Sequence, residues 1–286
     1  MTHSGWSRQE EGSGGDEVLF DLKREITSIG ELVEHGPLPG SWFRGQSEGA
    51  LPPLPSVLRA HIARPLERHS GGKYSTNGDQ RLFEQFRRSG YSLFPPGASV
   101  IDCYFLAQHY GLPTRLLDWT TNPLSAVYFA VRDNFAVDGC IFELRPAYQF
   151  AGGRGTSESD PPPIYGPETE DNGAVRAVVQ WVANASTSAP GYSRSSLLAS
   201  IPVFPRMRQG RMAQQGSCFT LHPPPFLRAP TYRHFPPGHL DAYTIPAEAK
   251  KSMFDELRHL GTTASTLFPD LDHVVEDIRR EFGLPR

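Results

Sequence analysis

The stretch "IDCYFLAQHYGLPTRLLDWTTNPLSAVYFAV", Ile101 to Val131, constrains the fold more than any other part of the chain. Ile101 to Tyr110 is mostly apolar and predicts a helix. Gly111 suits the left-handed position just past a helix end, and Pro113 blocks continuation. "TRLLDW" is then extended. Asn122-Pro123 restarts a helix, with Asn as N-cap and Pro in the first turn. Leu124, Val127, Tyr128, Val131 and Phe135 recur at helical spacing and predict a core-facing stripe. After the turn pair Asp138-Gly139, "CIFEL" predicts a buried strand.

Around this centre the chain reads as α+β, a single domain with small mixed or antiparallel sheets, a central helical segment and two C-terminal helices. "AEAKKSMFDELRHLG" predicts one of these, with Met253, Phe254, Leu257 and Leu260 on one side and Gly261 as its stop. "FPDLDHVVEDIRREFG" predicts the other, with Leu271, Val274, Val275, Ile278 and Phe282 on one face and Asp270 and Asp272 at its positive N-terminal end. Both are expected to serve packing. Residues 1–16 read as a disordered tail, and 17–286 as the domain. The stretch 152–173, "GGRGTSESDPPPIYGPETEDNG", offers no apolar face and reads as a flexible insertion. The Pro-rich stretch 222–240 holds enough aromatics to pack as an ordered loop.

Charge and cysteine usage narrow the function classes. The net charge of -3 provides no global field toward nucleic acid or anionic membrane. The three cysteines, Cys103, Cys140 and Cys218, are distant from one another and sit in apolar settings. That spacing fits free thiols in a reducing cytoplasm and supplies neither a disulfide framework nor a zinc site, so no metal is expected. No apolar run reaches membrane-spanning length, and the N-terminus lacks the apolar core of a signal peptide.

Chemistry-bearing residues gather in three places. In "SWFRGQSEG", Ser41 to Gly49, Arg44 lies between two large aromatics and Gly45. The connection between the central helices sets Gln108, His109, Arg115, Asp118, Thr120 and Asn122 among leucines and Trp119. Charges in such surroundings must be paired or bonded. Arg115 and Asp118 either pair to fix the connection or hold a ligand. A third cluster, "IPVFPRMRQGRMAQQGSCFTLH", precedes a strand at Cys218 to Leu221 and carries Arg206, Arg208, Arg211, Gln214 and Gln215. Gly45-Gln46-Ser47-Glu48-Gly49 also matches the G-x-S-x-G pattern of a hydrolase nucleophile. A nucleophile elbow needs a helix directly after its turn, and Pro52 and Pro53 deny one to Ser47.

"WFRGQ" at 42–46, "QHYGLPTRLLDWTTNPLSAVYFA" at 108–130, "RMAQQGSCFTL" at 211–221 and "LRHLGTTASTLFPDLD" at 257–272 resemble successive blocks of the FRG domain family, named for the Phe-Arg-Gly motif present here at Phe43-Arg44-Gly45. The aromatic-Arg-Gly strand is in turn similar to the NAD-binding strand of ADP-ribosyltransferases, which implies an ADP-ribosyltransferase-like fold. On that resemblance NAD is the co-substrate, and Arg44 grips its phosphate or ribose. Thr120 and Asn122 would correspond to the second motif of such enzymes, and Gln214-Gln215 to the third. Typical transferases carry a glutamate in the third motif. Here Asp118 is the expected replacement carboxylate, with His109 as proton acceptor or phosphate partner.

The expected catalytic set is therefore Arg44, His109, Asp118 and Gln215. The expected nucleotide-binding set is Phe43, Arg44, Gly45, Gln46, Tyr110, Arg115, Trp119, Thr120, Asn122, Arg211 and Gln214. The acceptor would be a nucleic acid, a nucleotide or a protein, in a cytoplasmic toxin or phage-defence effector with an antitoxin partner and no membrane. The alternative is a nucleotide- or nucleic-acid-binding module without catalysis, in which Arg44, Arg115 and Arg211 hold phosphates.

Overall fold

The computed structural model describes residues 18, 20–35, 37–59, 62, 78–146, 173–183, 199–205, 215–225, 228, 233–235 and 238–284. The expected tail at 1–16, nearly all of the insertion at 152–173, and Arg206, Arg208, Arg211 and Gln214 lie outside the described residues.

The central block folds as its local signals require. Helix α3, Val100–His109, starts at a Ser99 N-cap in a reciprocal capping box with Asp102. It ends in a Schellman motif. Gly111 has φ +81°, its N–H donates to the Gln108 carbonyl, and the Leu112 N–H donates to the Ala107 carbonyl. Strand β3 is Leu116–Thr120, and α4 is Pro123–Val131. The Asn122 side chain accepts from the Leu124 N–H and so caps α4. The expected stripe overshoots by one turn, because α4 stops at Val131 and Phe135 is exposed. Just beyond the helix end, Lys250 Nζ donates to the carbonyls of Asp133 and Asn134, and to that of Ser47.

The remaining elements, in chain order, are β1 (Asp21–Glu25), α1 (Ile29–Glu34), β2 (Trp42–Gln46), α2 (Gly78–Ser89), β4 (Gly139–Leu144), α5 (Gly173–Ala183), β5 (Ile201–Val203), β6 (Ser217–Leu221), β7 (Leu240–Ile245), α6 (Lys250–His259), α7 (Ala264–Leu267) and α8 (Leu271–Glu281). The fold is α+β, but its strands form one sheet and not several small ones. Seven strands run in the order β1-β7-β4-β2-β3-β6-β5. Among the described residues only β1 and β7 pair in parallel.

Because side chains alternate along a strand, each strand feeds both faces. Phe43 and Ile141 join a cluster with α1, α4, α6 and α7 over the β2-β4-β7 half. On the same face, Leu116, Phe219 and Leu221 join a second cluster with α2, α3 and α5 over the β3-β6-β5 half. Trp42, Leu117, Trp119 and Phe142 point to the opposite face, where Phe204 and Phe235 cover them. The two aromatics that precede Arg44 are thus core residues on opposite faces.

The two halves are barely stitched together. Strand β2 pairs with β4 over five positions but meets β3 at Phe43↔Thr120 alone. Beyond that pair the strands part, at the seam between the two helical clusters.

The C-terminal helices correct two expectations. Leu260 is exposed at the end of α6, while Met253, Phe254 and Leu257 are buried. Helix α8 has no buried residue, and the apolar face expected to pack is exposed instead.

Candidate functional site

Arg44 occupies the parting of β2 and β3. Its Nη1 donates to the main-chain carbonyl of Asp118 at 2.9 Å, replacing a strand-to-strand hydrogen bond with a side-chain one. Its Nε donates to Gln46 Oε1 at 3.0 Å, and Gln46 Nε2 donates to the Leu51 carbonyl at 2.8 Å. The guanidinium plane is therefore fixed from two sides.

A polar chain holds the opposite wall. Gln108, in the last turn of α3, donates from Nε2 to Asp118 Oδ2 at 2.7 Å. The Thr114 hydroxyl donates to Gln108 Oε1 and accepts the Leu116 N–H, and the Ser56 hydroxyl accepts the Thr114 N–H. Asp118 is over half exposed, with Oδ2 4.0 Å from Arg44 Nη1. Arg59 follows the short 3-10 turn at Ser56–Leu58, and its Nε donates to the Leu54 carbonyl at 3.1 Å.

These side chains line a cleft of about 260 Å³ whose walls are Arg44, Ser56, Arg59, Gln108, Leu116 and Asp118, with Gly111, Leu112 and Leu117 completing it. Burial pushes the Arg44 pKa down to about 10, opposed by the Asp118 charge and assisted by Arg59. Burial likewise lowers Arg59, again opposed by Asp118. Arg44 remains protonated at neutral pH. Two guanidinium groups face one carboxylate, so the lining is net cationic. Each arginine is anchored through Nε, and neither Nη2 has a hydrogen-bond partner among the described residues. A fork tethered at one end and unspent at the other can donate to a planar or tetrahedral oxyanion.

The other expected site residues separate into distinct groups. Gly45 does not clear room for a ligand. A Cβ there would lie 1.8 Å from the Ala126 carbonyl oxygen, so the glycine lets α4 press against β2. Phe43 and Trp119 are buried in the core, and Trp119 Nε1 donates to Thr220 Oγ1, so neither offers a face for stacking. Arg115 pairs with Asp79 across a buried contact and lies over the Trp181 ring at 4.9 Å. The pairing of Arg115 with Asp118 weighed from sequence does not occur, since each has another partner. Asn122 is spent on capping α4.

Gln215 is held elsewhere too. Its Nε2 donates to the Leu267 carbonyl at 3.0 Å, and its own carbonyl accepts from Thr120 Oγ1. Of the expected catalytic residues, Arg44 and Asp118 converge on the cleft and Gln215 does not. His109 and Tyr110 are exposed at the end of α3, edge to face at 5.2 Å, next to the cleft-lining Gly111. Ser47 lies in the turn after β2 with Asn134 Nδ2 at 3.3 Å, and no helix follows it directly. Arg59, Ser56 and Thr114 were not singled out by the sequence. Their only signal is polarity within the apolar runs "LPPLPSVLRA" and "GLPTRLL".

This geometry defines an α+β protein with a cationic cleft cut into the seam of one mixed sheet. Residues 40–139 match the model of the FRG domain. The matched span runs from the turn before β2 to the start of β4 and contains every residue that lines the cleft. The blocks at 211–221 and 257–272, which also carried the resemblance, fall outside it. No curated protein and no solved structure matches the chain.

Proposed function

We propose that the cleft binds the phosphate-bearing part of a nucleotide and that the protein is an NAD-dependent ADP-ribosyltransferase-like enzyme, with Arg44 and Arg59 as anion donors and Asp118 as the acidic group. The observation that carries this reading is the convergence of two tethered guanidinium groups on one exposed carboxylate, which Gln108 aims. A cleft of about 260 Å³ suits a phosphate or ribose and not a whole dinucleotide. The nicotinamide and adenine ends would therefore extend beyond it. Tyr110, which is 75% exposed beside the cleft wall, is the aromatic positioned to meet one of them.

In the reaction the glycosidic bond between nicotinamide and ribose C1′ breaks, and nicotinamide leaves with the bonding pair. A nucleophilic atom of the acceptor forms the new bond to C1′ and gives up its proton to solvent. Positive charge develops on the ribose as the bond stretches. Asp118 supplies the negative charge that Gln215 lacks, and a misplaced or missing charge at such a centre costs roughly 3–4 kcal/mol of barrier. The acceptor would be a nucleic acid, a nucleotide or a protein.

The test is incubation of the full chain with NAD labelled in the adenylate, reading nicotinamide release and label transfer. Wild type should release nicotinamide, and Asp118→Asn should lose turnover while still binding NAD. Arg44→Ala should lose binding. A role as a toxin or phage-defence effector belongs to the same reading. Induction of wild type, but not of Asp118→Asn, should then arrest growth, and a co-expressed antitoxin should relieve it.

One observation favours the second reading, a nucleotide- or nucleic-acid-binding module without turnover. Among the described residues Asp118 is the one carboxylate lining the cleft, and Gln108 and Arg44 already engage it. Salt-sensitive binding of single-stranded nucleic acid without nicotinamide release would establish that reading in place of the first.

A further inference from the structure

Helix α8 packs with its polar side inward. His273, Glu276, Asp277 and Arg280 recur at i, i+3, i+4 and i+7, the spacing of a single helix face. Asp277 accepts from the N–H groups of Ala264 and Ser265 and so caps α7. Arg280 lies 4.9 Å over the Phe254 ring of α6 and donates to Glu276, and the His273 ring stacks on Phe268 at 4.3 Å. The orientation is therefore specified by directional contacts and is not a matter of loose docking.

The opposite side carries the apolar stripe. Leu271 is 81% exposed, Val275 50%, Ile278 48% and Phe282 73%. Contiguous apolar surface at coiled-coil spacing on an outward helix face marks a docking surface. Its flanks show what it docks with. Asp272 and Arg279 border the stripe on the same side, seven residues apart, one near each end of the helix, and both are exposed. When two such helices pair antiparallel about a two-fold axis, Leu271 meets Phe282 and Val275 meets Ile278. Asp272 of each copy then faces Arg279 of the other, twice over. The stripe is thus complementary to itself in shape and in charge.

We infer that α8 is a self-association surface, on which a second copy of this chain seats its own α8 antiparallel, with Val275 and Ile278 central and reciprocal Asp272–Arg279 pairs at the flanks. An eleven-residue helix is about 16 Å long, shorter than the span of a standard interface, so the dimer is weak and concentration-dependent. A C2 contact of this kind closes on itself and does not propagate.

Sedimentation velocity of the full chain over a concentration series tests the assignment. Wild type should pass from monomer to dimer, and Ile278→Glu should remain monomeric with an unchanged thermal midpoint, since the residue is exposed. Asp272→Arg and Arg279→Asp should each raise the dissociation midpoint about tenfold by placing like charges across the axis twice. Mixing these two single variants should restore dimerisation, because one copy then carries arginine at both flanks and the other aspartate. A wild-type chain that stays monomeric throughout overturns the assignment, as does a dimer indifferent to Ile278→Glu or a mixture that fails to recombine. Monomeric chain that binds vesicles of phosphatidylcholine and phosphatidylglycerol through α8 overturns it as well, and gives the face to a bilayer.

Discussion

Arg44 donates to the Asp118 main-chain oxygen at 2.9 Å while the carboxylate of the same aspartate stands 4.0 Å from that nitrogen. One side chain thus closes the parted edge of β2 and β3 and places a cation beside an exposed anion. Arg44→Lys separates the two tasks. Lysine keeps the charge but has no fork with which to reach Gln46, Asp118 and a ligand together. Nucleotide affinity should fall about ten- to a hundredfold, the worth of one charge-assisted hydrogen bond. The denaturation midpoint should move little. Calorimetric titration of both proteins with NAD measures it, and equal affinities would remove Arg44 from the ligand.

Gly45 predicts the reverse pattern. A methyl group there meets the Ala126 carbonyl oxygen at 1.8 Å and the Ala130 nitrogen at 2.8 Å, so α4 has to lift off β2. Gly45→Ala should cost about 4 kcal/mol or more and yield little folded protein. Circular dichroism melting of purified variant reads this directly. A variant as stable as wild type would mean that the strand–helix approach is looser than described.

What the residues disclose in advance depends on how local the determining contacts are. Gly111, Pro113, Asn122 and Pro123 each act within four residues, so the helix–strand–helix order around β3 is legible in the sequence. Arg44 and Asp118 were legible as charges set among apolar side chains. Their partners were not. Asp79, the partner of Arg115, is 36 residues away, and Arg59 approaches from a turn whose direction its neighbours do not encode. Periodicity shows that α8 has an apolar stripe, yet it cannot tell which side meets the body. Asp277 and Arg280 decide that through contacts with α7 and α6, and those contacts have no signature in the α8 sequence.

The Arg115–Asp79 pair offers a stability test independent of function. Both side chains are about 5% exposed, and the Arg115 guanidinium also covers Trp181. Arg115→Ala strands a buried carboxylate and should destabilise by about 3–5 kcal/mol, whereas replacing both partners with apolar residues should cost far less. Urea unfolding of the single and double variants measures the difference. A single variant within about 1 kcal/mol of wild type would show that Asp79 finds water or another donor.

A buried histidine pair on the covered face of the sheet is expected to make the fold sensitive to acid. Trp119 Nε1 donates to the Thr220 hydroxyl, which lies 3.0 Å from His222 Nε2. His222 Nδ1 lies 2.9 Å from His234 Nδ1, so the two rings share one proton between them. A further proton on His222 would place a charge in a site with no water exposure. Burial first, then His234, Arg228 and Arg115, hold the His222 pKa well below its ordinary 6.5. The unfolded chain therefore binds a proton that the folded chain refuses. Stability is full above about pH 6.5 and declines as the pH falls toward the depressed value, at up to about 1.4 kcal/mol per pH unit for one proton. His222→Gln keeps a polar amide beside Thr220 and His234 but does not titrate. Urea midpoints between pH 7 and pH 5 should fall more steeply in wild type than in the variant, by the slope of about one proton. Parallel slopes would mean that His222 does not control the acid response.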